Sequence, residues 1–145
     1  MKLSAYVLAM AMTASTLVGC ATSPTGRNQI LLFGSDQLNA MGAQAFDGMK
    51  SETPVSRQPA QNEYVQCVAD TLLPYVPSGV YSGDWEVVVF NDDQVNAFAL
   101  PGGKIGVYTG LLNVATNQHQ LAAVVGHEIG HVIAQHGNER MSQTT

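Results

Sequence analysis

Charged residues are scarce in this sequence. They make up 12% of the chain, about half the share found in ordinary soluble proteins. Six Lys and Arg residues stand against eleven acidic ones, which gives a net charge of −5 and leaves no basic cluster. We therefore expect no nucleic-acid binding, because neutralising phosphates requires grouped cations. The low charge suits a domain that works close to a membrane.

Cysteine is equally scarce, since Cys20 and Cys67 are the only two. A disulfide-rich secreted scaffold is thereby excluded. Cys67 lies at an apolar position of a predicted helix, and we interpret it as a buried structural thiol without a catalytic role.

A long hydrophobic run is missing as well. Residues 3–18 carry no charge, but they are too short and too rich in Ala, Ser and Thr for a convincing spanning helix. The residues Leu17-Val18-Gly19-Cys20 resemble the lipobox of bacterial lipoproteins. We predict that 1–19 is a lipoprotein signal peptide and that Cys20 is the lipidated mature N-terminus. The alternatives are an ordinary signal peptide or an uncleaved anchor with an incidental Cys.

The predicted lipid anchor also indicates a location. More than one acyl chain holds a protein stably at a membrane. Ala21 follows the cysteine, whereas an Asp there resembles the inner-membrane retention signal of Gram-negative lipoproteins. We expect the periplasmic face of the outer membrane.

Beyond the anchor, hydrophobic periodicity predicts one domain. Residues 20–34 read as a tether, and residues 35–145 as the folded domain. Apolar positions at helical spacing predict two helices, and short β-branched runs between turn residues predict strands. The predicted helices cover about 36–51 and 60–73, and the predicted strands about 84–91, 95–100 and 104–108.

The strongest helical pattern runs from about Asn117 to His136, with Gly137 as its stop. It should be central and buried, and it contains His127-Glu128-Ile129-Gly130-His131. Two residues four positions apart lie about 40° apart after a full turn and about 6 Å along the axis. Both imidazoles can therefore bind one Zn²⁺ ion.

Glu128 lies beside that predicted metal without being its ligand. A carboxylate there can act as general base and take a proton from the water that attacks a peptide carbonyl. The alternative is a buried helix that happens to contain two histidines. It would make an odd core, because burying an unpartnered carboxylate is costly.

The flanking residues extend this pattern to a family. The stretches VNAFALPGG (95–103) and IGVYTGLL (105–112), the motif helix, and HGNERMS (136–142) resemble the peptidase family of the type I CAAX prenyl proteases and HtpX. Together with SPTGRNQILLF (23–33), they are most similar to its periplasmic lipoprotein members. The resemblance implies an α+β, mainly helical, gluzincin-like fold with a small sheet beside the motif helix.

The resemblance also implies site residues. The segments 96–100 and 103–107 are candidates to bind an extended substrate by strand addition, with Asn96, Ala97, Phe98 and Gly103 as the candidate contact residues. A plain structural hairpin is the alternative. Gluzincins take a third zinc ligand, a Glu, from a later helix, so we expect that ligand, and the C-terminal part of the domain, beyond Thr145. Glu139 would be about 18 Å from His127 along a continuous helix, and His136 would face away from the metal.

These observations predict a zinc-dependent metalloendopeptidase at the outer membrane. Its substrates, as the resemblance implies, are misfolded or unassembled envelope proteins. The alternatives are a non-catalytic, lipid-anchored chaperone or binding module and, if Cys20 is not lipidated, a soluble secreted protease.

Replacing Cys20 by Ser is expected to release the full-length protein from membranes, because the acyl chains are the predicted anchor. The measurement is sedimentation with outer membranes after a high-salt wash, with Cys67→Ser as the matched control. A C20S protein that still sediments would contradict lipid anchoring.

Overall fold

A computed structural model describes residues 19–145 of the chain. The predicted signal peptide therefore lies, except for Gly19, outside the described residues. Within the described part, none of the helices combines the length and the apolar character needed to cross a membrane.

The described chain forms five strands and five helices in the order β1 β2 α1 α2 β3 β4 β5 α3 α4 α5, and a 3₁₀ turn follows α2. This confirms the predicted α+β class with a small sheet beside the motif helix. The elements are β1 (Cys20–Thr22), β2 (Asn28–Ile30), α1 (Ser35–Glu52), α2 (Pro59–Leu72), β3 (Glu86–Phe90), β4 (Ala97–Leu100), β5 (Lys104–Tyr108), α3 (Thr109–Val114), α4 (Gln118–Ile133) and α5 (His136–Thr144).

The central sheet has the strand order β3-β5-β4. β3 runs parallel to β5, and β4 pairs with β5 as an antiparallel hairpin. The turn between them contains Gly102 and Gly103 with φ of 84° and 67°, a conformation that side chains rarely tolerate. Among residues 19–145, β4 pairs only with β5, so it is an edge strand with one side free.

Both faces of this sheet are covered. One face packs against α2 and α4 through a core that includes Val65, Val107, Leu121 and Val125. The other face packs against α1 through a cluster of Phe46, Phe90 and Tyr108, which Phe98 joins. The sheet is thus the middle layer of three, and α4 is fixed directly against it.

The prediction for Cys67 was wrong, because this side chain is exposed. The buried residues of α2 are Val65, Val68 and Ala69. Cys67 lies two positions, or about 200° of helical rotation, from Val65 and Ala69. It therefore points to solvent.

Residues 20–34 are more ordered than a tether. β1 and β2 form an antiparallel hairpin in which Cys20 lies opposite Ile30. The segment that follows is fixed to α5 by side-chain hydrogen bonds: the Asn138 amide donates to the Phe33 carbonyl over 2.8 Å, and the Leu32 N–H donates to the Ser142 hydroxyl over 2.9 Å.

An ion pair joins the same hairpin to α5. Arg27 donates two hydrogen bonds to the buried carboxylate of Glu139, and Gln29 donates a third over 3.2 Å. The hydrogen bonds from Arg27 lower the pKa of Glu139 to about 2, against the effect of burial. Bidentate Arg–carboxylate pairs of this kind fix geometry as well as charge.

Replacing Arg27 by Gln is expected to lower stability at neutral pH and to flatten its acid dependence. A carboxyl whose pKa is depressed by folding adds stability above its unfolded value, about 4.3. That contribution is lost as the pH falls towards 2, where wild type and variant should converge. Thermal unfolding of metal-free protein between pH 7 and 2 measures this, with exposed Arg57→Gln as control. A constant difference down to pH 2 would contradict the pairing.

Candidate metal centre

The apolar face of α4 sets the direction of the motif side chains. Leu121, Val125 and Ile129 recur every four residues and are buried against the sheet. His127 and His131 each lie two positions from a member of this row, about 200° around the helix. They therefore project from the side opposite the core, and only one face of α4 is buried, not the whole helix as predicted.

The start of α4 is fixed by a side-chain cap. The Asn117 carboxamide oxygen accepts hydrogen bonds from the backbone N–H groups of His119 and Gln120, each over 3.0 Å. An Asn cap of this kind satisfies donors that have no partner inside the helix. The motif residues thus lie in a helix whose first turn is defined.

His127, Glu128 and His131 form one cluster. Their ligand atoms all lie within 4.8 Å of one another, and the Nε2 atoms of the two histidines are 3.0 Å apart. Within residues 19–145, no other His, Cys, Asp or Glu belongs to such a group.

This donor set fits zinc. Two imidazole Nε2 atoms at such close range can direct their lone pairs to one cation, and Zn²⁺ is bound by His nitrogens at about 2.0–2.1 Å. Glu128 is half-buried beside the pair and can contact a water at the metal without binding the ion itself.

The prediction for His136 was wrong. α4 ends at Ile133, and Gln135 takes the left-handed conformation with φ of 55°, so the helix stops before Gly137. The chain then starts α5 in a new direction. As a result, His136 lies against the motif, and its Nδ1 is 2.7 Å from Nδ1 of His131.

Glu139 is closer to the site than a continuous helix would place it. It lines a cavity of about 600 Å³ together with Glu128, His131 and His136. Its carboxylate is nevertheless held by Arg27, and it is not part of the metal-binding group.

The four residues predicted to bind substrate occupy different positions. Phe98 lines the cavity beside Glu128. Ala97 is buried in the core, and Asn96 accepts a hydrogen bond from the Tyr108 N–H over 3.1 Å. Gly103 is not among the cavity residues, and its carbonyl accepts from the Glu86 N–H over 2.8 Å.

Two further residues of the predicted substrate-pairing segment 96–100 line the cavity, Ala99 and Leu100. They follow Phe98 directly on the strand.

Comparison with known proteins agrees with this geometry. Residues 59–145 match peptidase family M48. The mitochondrial metalloendopeptidase OMA1 of Bos taurus is 31% identical over 81% of this chain and 24% of its own length. The metalloprotease LoiP of Escherichia coli is 30% identical over 97% of this chain and 57% of its own length.

A further relative is the beta-barrel assembly-enhancing protease of Yersinia pestis, 31% identical over 70% of this chain and 20% of its own length. The chain thus spans between about a fifth and somewhat over half of the length of these three relatives. Because the family match covers more than half of the chain and includes the metal cluster, the chain belongs to peptidase family M48.

Proposed function

We propose that this chain carries the metal-binding and proton-transfer part of a zinc-dependent metalloendopeptidase. The observation that supports this most directly is the cluster of His127, Glu128 and His131, whose two Nε2 atoms approach to 3.0 Å. The three relatives are named as a metalloendopeptidase, a metalloprotease and a protease, and these names also support the proposal.

Glu128 is the proposed general base, and its place in the cluster beside the two histidines supports this role. A zinc ion between His127 and His131 would supply a water of lowered pKa and polarise the substrate carbonyl. The Glu128 carboxylate takes the proton of the attacking water and passes it to the amine that leaves.

A third protein ligand is part of this proposal. Catalytic zinc sites usually have three protein ligands and one open position. Glu139 is a poor candidate because Arg27 and Gln29 already bind its carboxylate. A Glu outside residues 19–145, as the family resemblance implies, completes the site in the full-length protein.

The free edge of β4 is the proposed substrate-binding strand. Asn96 forms a hydrogen-bonded pair with Tyr108, and the register continues through Phe98 with Gly106 and Leu100 with Lys104. Hydrogen-bonded and non-hydrogen-bonded pairs alternate along an antiparallel ladder. Ala97 and Ala99 belong to the non-hydrogen-bonded pairs, so their N–H and C=O groups point away from β5. An extended peptide can pair with them beside Glu128.

The proposed setting is the bacterial envelope, at the periplasmic face of the outer membrane. Cys20 is exposed at the start of β1, so an acyl chain on its sulfur could leave the domain freely. Misfolded or unassembled envelope proteins are the proposed substrates, which is in keeping with the name of the Yersinia pestis relative.

Replacing Glu128 by Gln in the full-length protein is expected to reduce casein cleavage by about 10²–10⁴-fold, since the base is lost. Zinc content, measured by elemental analysis, should stay unchanged because Glu128 does not bind the ion. His127→Ala is the contrasting variant and should lose both. Full activity in E128Q would favour a different base, and activity absent even from wild type would favour the non-catalytic binding module.

Replacing Ala99 by Pro is expected to lower kcat/KM by roughly five- to tenfold through loss of one hydrogen bond of about 1 kcal/mol. The fold should persist, because proline is tolerated where an edge strand directs its N–H to solvent. Ala99→Ser keeps the N–H and is the matched control. Equal kcat/KM values for A99P and A99S would show that substrates do not pair with this N–H.

A further inference from the structure

His136 is joined to the metal cluster through His131. The two Nδ1 atoms are 2.7 Å apart, and the ring centroids are separated by 5.0 Å. On the opposite side of the His131 ring, Nε2 faces Nε2 of His127 at 3.0 Å. The two nitrogens of His131 therefore have different partners, His127 for Nε2 and His136 for Nδ1.

A zinc ion on Nε2 of His131, as proposed above, would define the proton positions of both rings. A neutral imidazole that binds a metal through Nε2 carries its proton on Nδ1. His131 must then donate the hydrogen bond, and Nδ1 of His136 must accept it, which places the proton of His136 on Nε2. Groups that accept from metal-binding histidines in this way fix the ring orientation and make the ligand more basic.

The position of His136 is itself supported from both sides. Two residues before it, the Ala134 carbonyl accepts a hydrogen bond from the Gln29 amide over 2.8 Å. Three residues after it, Glu139 is held by Arg27. The hairpin of β1 and β2 thus fixes the turn between α4 and α5 that brings His136 to His131.

We propose that His136 is a positioning residue of the zinc site, which accepts the Nδ1–H of His131 and holds its Nε2 towards the metal. The inference rests on the proposed zinc site at His127 and His131. It gives His136 no contact with substrate and no place among the metal ligands.

The test compares zinc affinities of full-length variants by competition with a chelator. His136→Phe keeps a ring of similar size but cannot accept, and it should weaken zinc binding by about 10–100-fold, the usual effect of removing such a partner. His136→Asn can place an oxygen where Nδ1 lies and should restore most of the affinity. His119→Phe, at an exposed position of α4, controls for loss of a histidine.

A second measurement observes the His131 proton directly, first in the wild-type protein and then in H136F. In the zinc-bound wild-type protein, NMR of ¹⁵N-labelled histidine should show His131 with its proton on Nδ1, protected from exchange with water. In H136F this proton should exchange faster. The proposal is overturned if H136F binds zinc as tightly as wild type, or if the His131 Nδ1 proton is absent or unprotected in wild type.

The two proposals fail differently. If His127→Ala binds zinc as tightly as wild type, the proposed zinc site is wrong, and the proposed role of His136 falls with it. If H127A loses zinc while H136F does not, the zinc site stands and only the positioning role is refuted. Metal-free H136F should unfold near the wild-type temperature. If H136F does not fold, the zinc affinity of H136N and the wild-type NMR signal test the positioning role instead.

Discussion

Burial of one face of α4 against the sheet is the constraint on which the site depends. Leu121 and Val125 are almost completely buried, at 0% and 1% exposure, and burying each such side chain is worth roughly 1.5–3 kcal/mol. The helix therefore cannot rotate without exposing its core row. His127 and His131 lie opposite that row, and Glu128 lies between the row and the histidines on the side of β4. Core packing therefore sets the side of the helix from which all three side chains project.

A second constraint acts at the end of α4 and is polar instead of apolar. The buried residues of α5 are Asn138, Glu139 and Ser142, and buried polar groups are tolerated only when they are hydrogen-bonded. The segment from Arg27 to Phe33 supplies those partners. Because such an interface specifies geometry more strictly than an apolar one, the N-terminal hairpin and the turn before His136 are fixed together.

The parts of the site that sequence could predict are those governed by local periodicity. The spacing of His127 and His131 places them on a common side of any regular helix. The glycines at 102 and 103 predict the turn between β4 and β5. His136 was misplaced because the same periodicity was extended through a helix break that has no glycine: Gln135 takes a positive φ. The hairpin was missed because its strands have three residues each and depend on contacts more than a hundred positions away.

The proposed substrate site restricts the conformation of the substrate more than it restricts the substrate's amino-acid sequence. β4 directs the backbone N–H and C=O groups of Ala97 and Ala99 to its free edge, whereas the Ala97 side chain is buried in the core. A paired peptide therefore meets backbone groups first and needs about four extended residues, or roughly 13 Å of chain. Folded proteins protect or pair their strand edges and rarely offer such a segment. Unfolded chains and strands that have not yet found their neighbours do offer it. The proposed preference for unassembled proteins would therefore rest on edge pairing itself and would require no pocket for a particular side chain.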